Sequence, residues 1–204
     1  VRQALGLERI HLLGHSWGGW LATEYLLAKP LGVVSLIMAS SNFSLPRYQA
    51  AANRILANLP VEMQSMLKQH EEAGTTDSEE YQKAAGELLQ PYLCRLQPYP
   101  EPLLRAVAGM GMEVYHTIQG PSEFTVTGNL KEWDRSERAH ELTLPTLFTC
   151  GRYEVTPDEV QYSHSLLPQS KLVVFEQSAH MAHLEERERY LQVIRDFLVR
   201  AENR

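Results

Sequence analysis

The sequence has few of the features that mark membrane proteins, disulfide-rich proteins or zinc-binding proteins. Its 204 residues include two cysteines, Cys94 and Cys150, which are too few and too far apart for a disulfide framework or a zinc cluster. The longest apolar run, residues 31–39, is far shorter than the roughly 20 residues that a transmembrane helix needs. We therefore expect a protein of the reducing cytoplasm with no membrane partner.

Positive charge is also scarce. The formal net charge is -6 at pH 7, and lysine and arginine are not clustered anywhere along the chain. Because a nucleic-acid-binding surface needs concentrated positive charge, nucleic acid is not an expected partner. A composition of 44% hydrophobic and 22% charged residues is instead that of an ordinary globular protein with enough apolar residues for a core.

The first part of the chain has the pattern of a strand, a helix and a second strand. Residues 10–13 form a short apolar run that ends at Gly14, which favours a buried strand. A helix is predicted over residues 17–29, stopped by Pro30, and a second buried strand over residues 33–38. Such a unit predicts two parallel strands joined by a right-handed crossover.

The rest of the chain first loses and then regains this alternation. Residues 45–120 contain helical segments punctuated by prolines and glycines, which indicates an all-helical insertion. Strands are then predicted at 144–151 and 171–175, and helices at 157–167, with Thr156 as N-cap, and at 185–200 with Leu191 on its apolar face. The predicted division is a core segment 1–43, a helical cap 44–128 and a second core segment 129–204.

The methionine and aromatic residues of the cap are expected to form its core, because apolar residues at helical spacing usually pack. They are Met63, Met66, Tyr81, Tyr92, Tyr99, Met110, Met112 and Tyr115.

The most informative motif is Gly14-His15-Ser16-Trp17-Gly18, placed directly between the first predicted strand and helix. In this context Gly-x-Ser-x-Gly is typical of the nucleophile elbow of the α/β-hydrolase fold. The tight turn calls for small residues two positions before and after the serine, and it lifts the hydroxyl clear at the helix N-terminus. We expect Ser16 to be the nucleophile and the backbone N–H of Trp17 to be an oxyanion-hole donor.

The base and the acid should follow in the order serine, acid, histidine. His180 lies between the last strand and the final helix and is preferred as general base to His183. Glu154, in the turn after the strand that ends near Cys150, is preferred as triad acid to Asp158, which already belongs to the following helix. The remaining histidines are expected to be exposed or structural; they are His11, His15, His70, His116, His140 and His164.

Longer runs resemble one family of serine hydrolases, the proline iminopeptidases and tricorn-interacting aminopeptidases, a group that includes amino-acid amidases. The tryptophan after the nucleophile and the Glu-Phe-Thr-Val-Thr-Gly run are more specific than the elbow alone. The matching runs, spread over nearly the whole chain, are Gly14-His15-Ser16-Trp17-Gly18-Gly19, Pro121-Ser122-Glu123-Phe124-Thr125-Val126-Thr127-Gly128, Gly151-Arg152-Tyr153-Glu154-Val155-Thr156-Pro157 and Ser178-Ala179-His180-Met181.

The resemblance implies removal of an N-terminal residue, often proline, from short peptides or amino-acid amides, without a metal or organic cofactor. Glu123 matches the cap glutamate that grips the substrate's free α-ammonium in the family. A fixed carboxylate would serve as a charge-assisted partner and would reject N-blocked substrates. The alternative for Glu123 is a surface glutamate before a strand-like run.

Two departures from the family keep alternatives open. The family's acid turn reads Gly-x-Tyr-Asp-Glu-x-Thr-Pro, in which the aspartate is the triad acid and the glutamate binds the substrate's ammonium. This turn is one residue shorter here, so Glu154 either replaces the aspartate as acid or keeps the role of ammonium ligand while the acid is absent. The strands that precede the elbow in the family, with a second oxyanion donor, are expected in an N-terminal part of the same hydrolase domain, which is the predicted partner. An esterase or lactonase of the same fold and a catalytically inactive binding protein remain the alternative functions.

Overall fold

The computed structural model describes residues 1–203, which hold a parallel β-sheet with helices on both faces. The strands are β1 (Ile10–His15), β2 (Val33–Ala39), β3 (Thr146–Gly151) and β4 (Lys171–Phe175). The helices are α1 (Trp17–Leu27), α2 (Leu45–Leu56), α3 (Val61–Ala73), α4 (Glu79–Leu93), α5 (Glu101–Ala108), α6 (Met112–Ile118), α7 (Pro157–Ser165), α8 (Ala182–Glu185) and α9 (Arg187–Glu202).

The sheet has the order β1-β2-β3-β4, and each neighbouring pair is parallel. The predicted strand, helix, strand unit at the start of the chain is present, with Leu12 of β1 beside Leu36 of β2. The helices α2–α6 all fall between β2 and β3. The chain thus leaves the sheet after β2 and returns to it at β3.

Alternation along β2 explains how the two faces of the sheet are covered. Leu36 and Met38 pack on one side with residues of α1 and α7, whereas Ile37 packs on the other side against Phe197 of α9. Successive strand residues point to opposite faces, so an unbroken apolar run is needed when both faces are covered. Leu36, Ile37 and Met38 are accordingly all buried.

Several predicted details of the helices are wrong. α1 ends at Leu27, before Pro30, and the last helix begins at Arg187, two residues later than predicted, after the short helix α8, which was not predicted. Leu191 is 39% exposed, since it faces away from the sheet. Thr156 occupies the N-cap position of α7, but its side chain makes no capping hydrogen bond.

The cap follows the expected packing only in part. Tyr81 is buried in a cluster with Met63 and Met66, as expected. Met110 and Met112 are instead 43% and 44% exposed, because they lie on the short segment around the start of α6, outside that cluster. The boundaries at 44 and 128 stay a prediction. Among residues 1–203, the structure has no helix that is both long enough and apolar enough to cross a membrane.

Candidate active site

Ser16 lies at the carboxyl end of β1, in the turn that leads directly into α1. Its backbone has φ 55°, a value that non-glycine residues seldom adopt. Its N–H donates to the carbonyl of Ala39 at the end of β2, 2.9 Å away, which holds the turn against the sheet. Because Trp17 is the first residue of α1, its N–H has no acceptor within the helix and is suited to stabilise an oxyanion.

The glycines of the motif differ in how much space the structure leaves for a side chain. A Cβ on Gly14 would overlap the carbonyl oxygen of Gly18, and one on Gly19 would overlap the side chain of Ser41. At Gly18 itself a Cβ would meet nothing within 4 Å, so the expectation that this position must be small is wrong. The close approach in this turn is made by the Gly18 carbonyl rather than by its Cα.

The turn after β3 and the loop after β4 bring a carboxylate and an imidazole together. Oε2 of Glu154 lies 3.6 Å from Nδ1 of His180. The Glu154 side chain is 1% exposed, and neither of its oxygens has a hydrogen-bond partner among the described residues. Gly151 allows this approach, since a Cβ there would overlap the carbonyl oxygen of Ala179 in the histidine loop.

The rival residues lie in different surroundings. Asp158 is exposed in the first turn of α7. His183 packs its ring against His15 and Tyr190, at centroid distances of 5.1 and 5.9 Å. Of the four candidates for acid and base, the pair in contact is Glu154 and His180. Their roles stay a prediction.

The environment of His180 favours its charged form. Burial alone would lower its pKa, but the carboxylates of Glu154, then Glu123 and Glu185, outweigh burial and hold the pKa of His180 above its ordinary value. Glu154 acts both through the side-chain contact and through its charge. A histidine that accepts a proton from a serine needs such stabilisation of the imidazolium.

The end of α4 fixes the backbone of the histidine loop. The carbonyls of Tyr92 and Leu93 accept from the N–H groups of His180 and Met181, at 3.0 and 3.1 Å. The last carbonyls of a helix have no intrahelical donor, so they are free to bind this loop. Glu185 adds a bridge, since its carboxylate accepts from the N–H of Ala179 at 2.9 Å and of Arg95 at 2.7 Å.

Glu123 is a partly buried cap residue and not a surface glutamate. Its two carboxylate oxygens accept from the hydroxyls of Tyr48 at 3.0 Å and Tyr115 at 2.9 Å. Burial and the Glu123 charge raise the pKa of both tyrosines, so both hydroxyls stay protonated and keep donating. Residues 122 and 125 form an isolated antiparallel bridge, so the run after Glu123 begins as a turn and not as a strand.

Three residues of this region were not predicted from the sequence. Tyr115 was expected in the cap core, but its hydroxyl binds Glu123; Tyr48 was not singled out. His15 was placed among the structural histidines, yet its Nε2 lies 3.0 Å from the carbonyl oxygen of His180. No spacing pattern in the sequence predicts these contacts. Two of them join residues 75 and 165 positions apart, and the contact of Tyr115 with Glu123, eight positions apart, depends on how the chain turns after α6. The described residues contain no group of three or more potential metal ligands.

The chain is similar to known hydrolases over nearly its whole length. Residues 1–187 match the family model described as alpha/beta hydrolase fold. A proline iminopeptidase of Heyndrickxia coagulans is 46% identical over 200 residues, which cover 97% of this chain and 69% of that protein. A proline iminopeptidase of Saccharolobus solfataricus is 38% identical over 199 residues, covering 97% of this chain and 64% of that protein.

A solved structure of the same family has a similar fold. The crystal structure of the proline iminopeptidase of Mycobacterium smegmatis superposes with a TM-score of 0.84 at 37% identity, covering 98% of this chain and 68% of that one. The chain thus spans 64 to 69% of the length of these proteins. The predicted α/β-hydrolase fold and the family resemblance are confirmed.

Proposed function

This chain belongs to the proline iminopeptidase family of α/β-hydrolases, a family of aminopeptidases, and on that premise we propose that it releases the N-terminal residue of short peptides or amino-acid amides through an acyl-enzyme on Ser16. The single observation that carries the proposal is the contact of Glu154 with His180 at 3.6 Å. The loop that holds His180 also contacts the elbow, through the carbonyl oxygen of His180 and Nε2 of His15. A serine, a buried carboxylate and a histidine, in this order along the chain, are the groups needed for acyl transfer in this fold.

In the proposed first half-reaction, Oγ of Ser16 attacks the carbonyl carbon of the substrate's N-terminal residue, and Nε2 of His180 takes the hydroxyl proton. The backbone N–H of Trp17 donates to the oxyanion that forms. When the C–N bond breaks, His180 gives its proton to the leaving amine. Glu154 faces Nδ1 and stabilises the imidazolium between these two transfers.

In the second half-reaction, water attacks the acyl-enzyme while His180 again acts as base. The C–O bond to Ser16 breaks, the serine regains its proton, and the free amino acid leaves. No group other than water is consumed, so the proposed chemistry needs no cofactor.

Glu123 is the proposed partner of the substrate's α-ammonium. Its carboxylate accepts hydrogen bonds from Tyr48 and Tyr115. Its charge also helps to raise the pKa of His180, which supports a position of Glu123 near the reacting carbonyl. An ammonium ion removed from water needs such a charged hydrogen-bond acceptor. The preference for proline or another small residue is part of the proposal and is supported by the names of the relatives.

The proposed place of action is the cytoplasm, which the two buried, unpaired cysteines Cys94 and Cys150 support.

The direct test is hydrolysis of prolyl and alanyl 4-nitroanilides by the wild type and by Ser16→Ala. We expect release of nitroaniline by the wild type and its loss in the variant. Hydrolysis that survives Ser16→Ala would overturn the proposed nucleophile. Equal turnover of N-acetylated and free-amine substrates would favour an esterase-type specificity, and no turnover of any substrate would favour a binding protein.

A further inference from the structure

We propose that His15, the residue directly before the nucleophile, is a positioning residue that holds the main chain of His180 for proton transfer at Ser16. The inference rests on the proposed roles of Ser16 and His180. Nε2 of His15 lies 3.0 Å from the carbonyl oxygen of His180, and the two imidazole rings are 4.7 Å apart between centroids. This contact joins segments 165 residues apart in the sequence.

The chemistry of the contact defines the tautomer of His15. A carbonyl oxygen can only accept, so Nε2 of His15 must carry the hydrogen that is donated. Burial, followed by the neighbouring His180, lowers the pKa of His15 to about 3. His15 therefore stays neutral over the pH range in which His180 must gain and lose a proton, and adds no charge against the imidazolium.

The backbone of His180 is held from three directions. Its carbonyl oxygen lies 3.0 Å from Nε2 of His15 and 3.3 Å from the hydroxyl of Ser40, while its N–H donates to the carbonyl of Tyr92. With both peptide groups fixed, the imidazole retains only its two side-chain torsions. Glu154 at Nδ1 restrains these torsions in turn.

His15 is well placed to set the distance between nucleophile and base. It lies at the end of β1, and Ser16 follows it with a backbone conformation fixed by the turn. Any shift of the histidine loop relative to the elbow must therefore stretch the hydrogen bond of His15. Catalysis by a serine and a histidine depends steeply on such a distance, since a misplacement of about 1 Å can cost on the order of 100-fold in rate.

The test compares two replacements of His15, which distinguish the effect of its hydrogen bond from the effect of its ring. His15→Phe keeps a ring of similar shape and removes the donor, whereas His15→Gln keeps an N–H donor at a similar distance. His183→Phe is the matched control, because it changes the other ring in contact with His15 and leaves the hydrogen bond in place. The readouts are kcat and KM on a prolyl anilide and the labelling rate of Ser16 by a fluorophosphonate.

We expect His15→Phe to lower kcat and the labelling rate by about 10- to 100-fold with KM little changed, and His15→Gln to restore most of the rate. His183→Phe should behave as the wild type. The inference is overturned if His15→Phe keeps the wild-type rates, or if His15→Gln is as slow as His15→Phe. A wild type that no fluorophosphonate labels would instead refute the proposed function itself.

A measurement on the wild type keeps the inference testable if His15→Phe does not fold. Nitrogen-15 NMR of the imidazoles should show His15 neutral, with hydrogen on Nε2, between about pH 5 and 8. A His15 that titrates in this range, or that carries its hydrogen on Nδ1, would contradict the assigned hydrogen bond.

Discussion

Nδ1 of His180 lies 3.6 Å from Oε2 of Glu154, a carboxylate that is buried and without other hydrogen-bond partners among the described residues. The distance is longer than a hydrogen bond, which is common for catalytic contacts before substrate binds. A carboxylate facing Nδ1 favours the tautomer with hydrogen on Nδ1, which leaves Nε2 free for the proposed proton transfer from Ser16.

Replacing Glu154 by glutamine should remove this preference. An amide can present its N–H to Nδ1 and so stabilise the wrong tautomer, and we expect kcat to fall by about 10³- to 10⁴-fold. Steady-state kinetics on a prolyl anilide measures the effect. Asp158→Asn is the matched control, because Asp158 is an exposed carboxylate only four residues away, and it should retain full activity. The reverse result would make Asp158 the acid.

The pH dependence of activity should reflect the raised pKa of His180. A general base must be neutral, so kcat/KM should rise with pH through that pKa and reach its plateau above it. In Glu154→Gln the stabilising charge is gone, and the midpoint of the residual activity should move to lower pH. A midpoint that does not move would show that Glu154 does not act on His180.

The same pKa has a consequence for stability. The pKa of His180 is higher in the folded than in the unfolded state, so protonated His180 stabilises the fold. This stabilisation is fully present below the unfolded-state pKa and is lost as pH rises through the folded-state pKa. Urea unfolding of the wild type and of Glu154→Gln should therefore differ more at pH 5 than at pH 9. A difference that grows with pH would contradict the assigned direction.

Glu123 should determine whether a free amine is required. We expect Glu123→Gln to lose about 10- to 100-fold in kcat/KM on a free-amine prolyl anilide, the effect of one charged hydrogen bond, and to discriminate less against the N-acetyl substrate. Glu113→Gln is the control, since Glu113 is an exposed carboxylate of the same cap. Unchanged discrimination in Glu123→Gln would remove Glu123 from substrate recognition.

Glu185 should hold the histidine loop to the cap. Glu185→Ala leaves the N–H groups of Ala179 and Arg95 without their acceptor. Arg95 is exposed and its N–H can bind water, so the buried Ala179 N–H should account for most of a loss of about 1–3 kcal/mol in the free energy of unfolding. Hydrogen exchange of these two amides should also become faster. Glu188→Ala, an exposed glutamate at the start of α9, should change neither quantity, and equal loss in both variants would contradict the bridge.

The sequence predicted the fold where one local signal was enough. The apolar run of β2 and the Gly-x-Ser-x-Gly turn could be located without knowing their neighbours, because burial on both faces and a strand-to-helix turn each leave a local pattern. The steric reason for each glycine could not, since Gly19 is limited by the side chain of Ser41 and Gly18 is not limited in size. The short helix α8 was not predicted, since no proline or glycine separates it from α9. The division at Glu186 instead coincides with two carboxylate contacts, to the N–H of Gln177 and the hydroxyl of Ser178.

The residues of the candidate site were proposed from the sequence, and the structure brings Glu154 and His180 together, but their roles stay a prediction. Ser16, Glu154 and His180 follow the order serine, acid, histidine that the elbow implies. The hydrogen bond of His15 was missed, because it depends on how the histidine loop meets the elbow. The tyrosines around Glu123 were missed, because they depend on how the segments of the cap pack around residue 123. Long-range contacts of this kind leave no periodic trace in one sequence.

The most direct test of the central claim is fluorophosphonate labelling followed by mass spectrometry of the intact chain and its peptides. We predict one phosphonyl adduct on the peptide that contains Ser16, and a much slower reaction in His180→Gln. No adduct at Ser16, or an adduct that forms as fast without His180, would contradict the assignment of Ser16 and His180 as nucleophile and base.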